Sequence, residues 1–275
     1  MRKLLLAISI VLSISLTQGQ SYEEWIELSF DYLEAEKLDS AELALQNALL
    51  QDPANPLNAF LLNNLGTIQR QQGKTEEALV SYTAALSRHP NNQTFLESRA
   101  ALFAETGQLQ NALIDYNTLL QSEPDNIENR YQRGLIFMSM KDFDSAEKDF
   151  DRILELFPES TFARLGYASL YKVTGNYEEA EKLYNRLIEY NPENPDLYAG
   201  RAELYLLMEK GNKASGDINK AMQLSGKESP FLYIIRAKAR LLLHEKKAAT
   251  EDINKAISLG YDPEEAKLLL EHIQL

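Results

Sequence analysis

Gly175-Asn176-Tyr177-Glu178-Glu179-Ala180 repeats, in its glycine, its paired glutamates and its alanine, the earlier stretch Gly73-Lys74-Thr75-Glu76-Glu77-Ala78. The alanines carry the period. Ala78, Ala112, Ala146, Ala180 and Ala214 fall at a constant spacing of 34 residues, and Ala41 and Ala249 join them after short insertions. A fixed period of this size marks a repeat array, which displaces the one or two ordinary domains that 275 residues would otherwise suggest. Units of an array touch only their neighbours. The chain is therefore expected to present a long surface suited to holding other molecules.

Laid out at this period, the chain gives seven units: 22–55, 59–92, 93–126, 127–160, 161–194, 195–228 and 230–263. Position 20 of the unit is alanine throughout. Position 8 is small: Ser29, Gly66, Ala100, Gly134, Ala168, Ala202 and Ala237. Position 24 is large: Leu45, Tyr82, Tyr116, Phe150, Tyr184, Ile218 and Ile253. Small residues at 8 and 20 let two helices approach closely, and the large residues beside them fill the remaining space. Gly73, Gly107 and Gly175 at position 15 suit the left-handed turn that ends a first helix. Pro53, Pro90, Pro124, Pro158 and Pro192 at position 32 end the second. Each unit reads as a hairpin of two helices of roughly 14 residues, four turns each.

This pattern resembles the tetratricopeptide repeat (TPR). The first unit carries nearly the whole signature in Trp25, Leu28, Tyr32, Ala41, Leu45, Ala48 and Pro53, and Gly175 to Ala180 has the form of the family's inter-helix turn. The resemblance covers residues 22 to about 263. It implies an all-α, right-handed superhelical solenoid of seven helical hairpins, and a protein-binding scaffold as the class of function. Departures are Gly226 and Tyr261 where proline is usual, and insertions at Pro56 to Asn58 and at Ser229. Asp262-Pro263-Glu264-Glu265 opens a further helix over 263–275. Its Ala266, Leu269, Leu270 and Ile273 share one face, so it is expected to cap the array over residues 20–263.

The N-terminus reads as an export signal over 1–19. Arg2 and Lys3 precede an apolar run from Leu4 to Leu16, and Thr17-Gln18-Gly19 places small residues for cleavage before Gln20. The run is shorter than the ~20 residues a spanning helix needs, so cleavage is expected, with no membrane insertion afterwards. Ser21 and Glu24 form a capping box at the start of the first helix. The protein is expected to be periplasmic or secreted. A chain with no cysteine excludes disulfides and cysteine–zinc sites. A formal charge of −13, with no basic stripe, argues against nucleic acid as a partner.

Comparison of the units exposes a covarying pair. Position 7 is arginine in four units (Arg99, Arg133, Arg201, Arg236), and position 23 is aspartate in the same four (Asp115, Asp149, Asp217, Asp252). The other three units have neither. An ion pair between the two helices of one hairpin is expected, and a pair between units fits the pattern less well.

The resemblance also implies where a partner would sit. First-helix residues near positions 2, 5, 9 and 12 line the concave groove of such arrays. The candidates are Phe60, Asn63 and Arg70 in the second unit, Tyr131, Leu135 and Met138 in the fourth, Phe162, Leu165 and Lys172 in the fifth, and Lys238 in the seventh. An apolar stripe with a few cations suits a protein or peptide segment. The family's clamp for acidic chain termini is absent, since of Ile26, Phe30, Asn64, Thr94 and Ser98 only Asn64 fits it. No metalloprotease, phosphate-loop or nucleophile-elbow motif occurs, and His89, His244 and His272 lie far apart. No cofactor is expected, and the chain reads as a non-enzymatic scaffold. An accessory component of an envelope assembly or secretion complex, using the convex face or edges, or a regulator of an associated enzyme is the alternative.

Overall fold

The computed structural model describes residues 20–274, so the leader assigned to 1–19 lies outside the described residues. Among the described residues there are fifteen helices and no strand. They are α1 (Tyr22–Glu34), α2 (Leu38–Gln51), α3 (Asn58–Gln71), α4 (Thr75–Arg88), α5 (Gln93–Glu105), α6 (Leu109–Ser122), α7 (Ile127–Ser139), α8 (Phe143–Leu156), α9 (Thr161–Val173), α10 (Tyr177–Tyr190), α11 (Pro195–Leu207), α12 (Gly211–Ser225), α13 (Pro230–Leu242), α14 (Lys246–Ser258) and α15 (Pro263–Gln274). The chain forms two compact units that divide after Leu102. In the first, α1 packs on α2, α2 on α3 and α3 on α4. In the second, the hairpins α7/α8, α9/α10, α11/α12 and α13/α14 follow one another, first helices lie side by side (α7 on α9, α11 on α13), and α15 covers α14.

The helix ends follow from local chemistry. Ser21 accepts the Glu24 amide at 3.2 Å while the Glu24 carboxylate accepts the Ser21 amide at 2.7 Å, which satisfies two orphan donors reciprocally. Asp52, His89, Glu123, Phe157 and Asn191 end their helices with φ between −139° and −129°. Each precedes a proline, whose ring excludes the helical region for the residue before it. The inter-helix turn is left-handed at position 15 in all seven hairpins. Gly73, Gly107 and Gly175 take it without penalty, whereas Glu36, Lys141, Glu209 and His244 hold it against their own side chains.

The seven period-setting alanines are fully buried, as are Phe150, Ile218 and Ile253 at position 24. Phe150 shows why position 8 is small. A Cβ built on Gly134 would stand 2.5 Å from Phe150 Cε1, and one built on Gly166 of the next hairpin would stand 2.6 Å from the same atom. The ring is held between two glycine backbones, so it locks α8 to its own first helix and to the following one.

Polar bridges join hairpin to hairpin within each unit. In the first, Glu42 accepts Gln69 Nε2 at 3.1 Å and Lys74 Nζ at 2.6 Å, and Gln69 in turn accepts the Ser81 hydroxyl at 2.7 Å. In the second, Glu181 accepts Tyr205 Oη at 2.9 Å, Lys213 Nζ at 2.9 Å and Lys210 Nζ at 3.3 Å. The Lys213 hydrogen bond, joined by those from Tyr205 and Lys210, outweighs partial burial and pulls the Glu181 carboxyl down to about 2. The folded value lies below the ordinary carboxylate value of ~4.3. The bridge therefore contributes fully above about pH 5 and fades as pH falls toward 2. Glu181→Gln is expected to cost about 1–2 kcal/mol at pH 7. The gap between variant and parent should close in thermal melts between about pH 5 and pH 2. A gap that stays constant over that range would show that the carboxylate is not the bridging group.

Candidate partner-binding cleft

Three of the four expected arginine–aspartate pairs are present, each with two parallel N–H···O bonds. Arg133 Nε and Nη2 reach the Asp149 oxygens at 2.8 and 2.6 Å, Arg201 reaches Asp217 at 2.7 and 2.7 Å, and Arg236 reaches Asp252 at 2.9 and 2.6 Å. The aspartates are buried. Arg99 and Asp115 stand on opposite sides of the division between the compact units, and their pairing stays a sequence expectation. The three pairs lie within single hairpins, as the pattern of the units suggests. In two of the three, the remaining guanidinium nitrogen crosses to the preceding hairpin, where Arg133 Nη1 reaches Asn117 at 2.7 Å and Arg201 Nη1 reaches Asn185 at 2.6 Å. The fork binds within the hairpin and the spare nitrogen binds between hairpins. In the fifth hairpin Tyr167 takes the arginine's place and donates to Asp151, the residue equivalent to those asparagines, at 2.5 Å. These arginines hold the array together and leave the groove free for other residues.

The expected groove residues divide by unit and by exposure. In the first unit, Phe60 is exposed and packs edge-on against buried Phe95, with ring centroids 5.2 Å apart. Asn63 is buried, with no hydrogen-bond partner for Oδ1 among the described residues, and Arg70 is half-buried. In the second unit, Tyr131 is buried against Phe162 and Phe150, at centroid distances of 5.3 and 6.2 Å. Burial, with the neighbouring Tyr184 adding to it, pushes the Tyr131 phenol up to about 12. Leu135, Met138, Phe162 and Leu165 are half-buried in the same apolar cluster. Lys172 is half-buried and pairs with Glu203 at 2.6 Å, while Lys238 is exposed.

The second unit brings some of these together around open space. A cleft of about 480 Å³ lies among α9, α11 and α13. Leu206, Leu207, Leu241 and Leu242 form its apolar wall, and Lys172, Glu203 and Lys238 supply its charges. Leu207 is 52% exposed and Leu242 39%, which is high for leucines on packed helices. A second recess of about 370 Å³ shares Lys172 and Glu203 and continues past Leu165, Ser169, Ala199 and Gly200 to Tyr131 and Phe231. The recess has room at this point because α11 presents Ala199 where α7 presents Tyr131. Glu203 and Leu206 were missed by the sequence reading although they hold positions 9 and 12 of the sixth unit. Carrying the same rule into that unit would have found them. Among the described residues no cluster of His, Cys, Asp or Glu is arranged to hold a metal ion, and no helix is long and apolar enough to cross a membrane.

Family models described as tetratricopeptide repeat match residues 137–204, 175–224 and 59–92. The chain is similar to a tetratricopeptide repeat protein from Parabacteroides merdae, with 48% identity over 94% of this chain and 100% of that one and a TM-score of 0.80. It shares its fold with yeast Tom70, at 19% identity over 95% of this chain and 58% of that one (TM-score 0.69). It also shares it with PilW, a type IV pilus biogenesis factor, at 18% identity over 81% of this chain and 100% of that one (TM-score 0.59). None of the curated proteins compared with the chain matches it. Repeats of this kind indicate a protein–protein interaction scaffold. The helical hairpins, their buried alanines and the nearly full-length likeness lead to one conclusion: the chain belongs to the tetratricopeptide-repeat family.

Proposed function

We propose that this chain is an exported, non-enzymatic scaffold that holds a segment of a partner protein in the cleft of α9, α11 and α13. The observation that carries the reading is the cleft itself: four leucines left partly open to solvent beside three charged side chains. An apolar floor with a few oriented charges is the usual composition of a peptide-recognition surface. Export rests on the leader over residues 1–19 and on the absence of cysteine. Intact mass of the chain recovered from the periplasm or medium should correspond to a start at Gln20. A mass retaining Met1 or the leader would contradict cleavage.

The partner claim is tested by placing charge on the floor. Leu207→Asp with Leu242→Asp should abolish capture of the native partner, a loss of about 2 kcal/mol or more, while helicity stays intact because both side chains are already part-solvated. Ile114→Asp, a change on an exposed residue of α6, serves as the control and should leave capture unchanged. Capture that survives the double change would place the partner on another face.

A further inference from the structure

We infer that the segment held in the cleft carries an acidic side chain about one helical turn from its apolar anchors, and that Lys238 is the residue that recognises it. This rests on the cleft being the binding face. Of the three charged residues at its edge, Lys172 and Glu203 already neutralise one another at 2.6 Å. Lys238 is exposed and makes no ion pair or hydrogen bond among the described residues. The lining therefore has one positive charge left over. That is a local reversal in a chain whose formal charge is −13. An anionic segment is repelled by most of this surface and accepted here, whereas a cationic one finds better sites almost anywhere else.

The geometry gives the partner's pattern. Lys238, Leu241 and Leu242 lie at i, i+3 and i+4 on α13, so ammonium and leucines share one face a turn apart. Leu206 and Leu207 of α11 close the other side. A ligand that fills the leucines and meets the ammonium must offer a carboxylate about 5–6 Å from its apolar anchors, which an amphipathic segment provides at i and i+3 or i+4. At an exposed rim such a contact adds little affinity. It does set register and excludes basic competitors.

A display library of random peptides of roughly 12 residues, long enough for three helical turns, is the probe. It is panned in parallel on the chain, on Lys238→Glu, and on Leu207→Asp with Leu242→Asp. The chain should enrich sequences with Asp or Glu three or four residues from Leu, Ile, Met or Phe, by about tenfold over those with Lys or Arg there. Lys238→Glu should invert that preference, and the double variant should lose the peptides altogether. Charge-blind or basic peptides on the chain, or a preference unmoved by Lys238→Glu, would overturn the role of Lys238 while leaving the cleft reading intact. Peptides retained equally by the double variant, or no enrichment at all, would overturn the cleft reading and the inference with it.

Discussion

Gly134→Ala should destabilise the chain by about 2 kcal/mol in urea melts, and Gly134→Leu by more. At an open helical site the same glycine-to-alanine change helps. Gly216 in α12 has nothing within 4 Å of an added Cβ, so Gly216→Ala should gain about 0.5–1 kcal/mol. At 134 the sign reverses, because the new Cβ would meet Phe150 Cε1 at 2.5 Å. The ring has little retreat, since the α9 backbone at Gly166 lies on its other side, so near that a Cβ built there would stand 2.6 Å from the same carbon. Phe150→Leu is costly alone, by about 1 kcal/mol, yet should recover part of the loss when combined with Gly134→Ala. A Gly134→Ala chain as stable as Gly216→Ala would show that α7 and α8 are not packed through this ring.

Arg201→Ala should cost about 3–5 kcal/mol, because it strands the buried Asp217, whose one ion-pair partner among the described residues is Arg201. The guanidinium also lies 5.8 Å from the ring centroids of both Tyr198 and Tyr205, and it holds Asn185 of the preceding hairpin at 2.6 Å. Replacing both partners, as Arg201→Leu with Asp217→Leu, should cost markedly less, since no lone charge remains. Arg133→Ala should be milder than Arg201→Ala, because Arg130 already reaches Asp149 at 3.1 Å and keeps that carboxylate paired. Equal losses for Arg201→Ala and the double change would mean that the charge pair is incidental to folding.

The fold was legible because packing repeats. Each hairpin needs the same small contact at positions 8 and 20 and the same bulk at 24, and the first five share the proline stop at 32, so the copies reinforce one message. The arginine–aspartate pair was legible for the same reason. Its link to the preceding hairpin was overlooked although a signal existed, in Asn117, Asn185, Asn219 and Asn254 at position 25. The substitution of Asp151 opposite Tyr167 belongs to the same signal.

The groove was harder to read. Exposure at a first-helix position depends on what the next first helix places beside it, and that varies from unit to unit. Tyr131 and Leu165 hold the same position, yet Tyr131 is buried because Phe162 lies over it. The second recess opens two hairpins later, where Ala199 holds the same position, and the cleft lies beside it, sharing Lys172 and Glu203. Single positions showed which residues could face a ligand. The volume around them is a property of three adjacent helices together.

The central claim is that a partner lies on α9, α11 and α13. A photo-cross-linking amino acid placed at position 207, on the cleft, and separately at position 114, on an exposed residue of α6, tests it in the native setting. A cross-linked partner is expected from position 207 and none from 114. The same adduct from 114, with none from 207, would contradict the account.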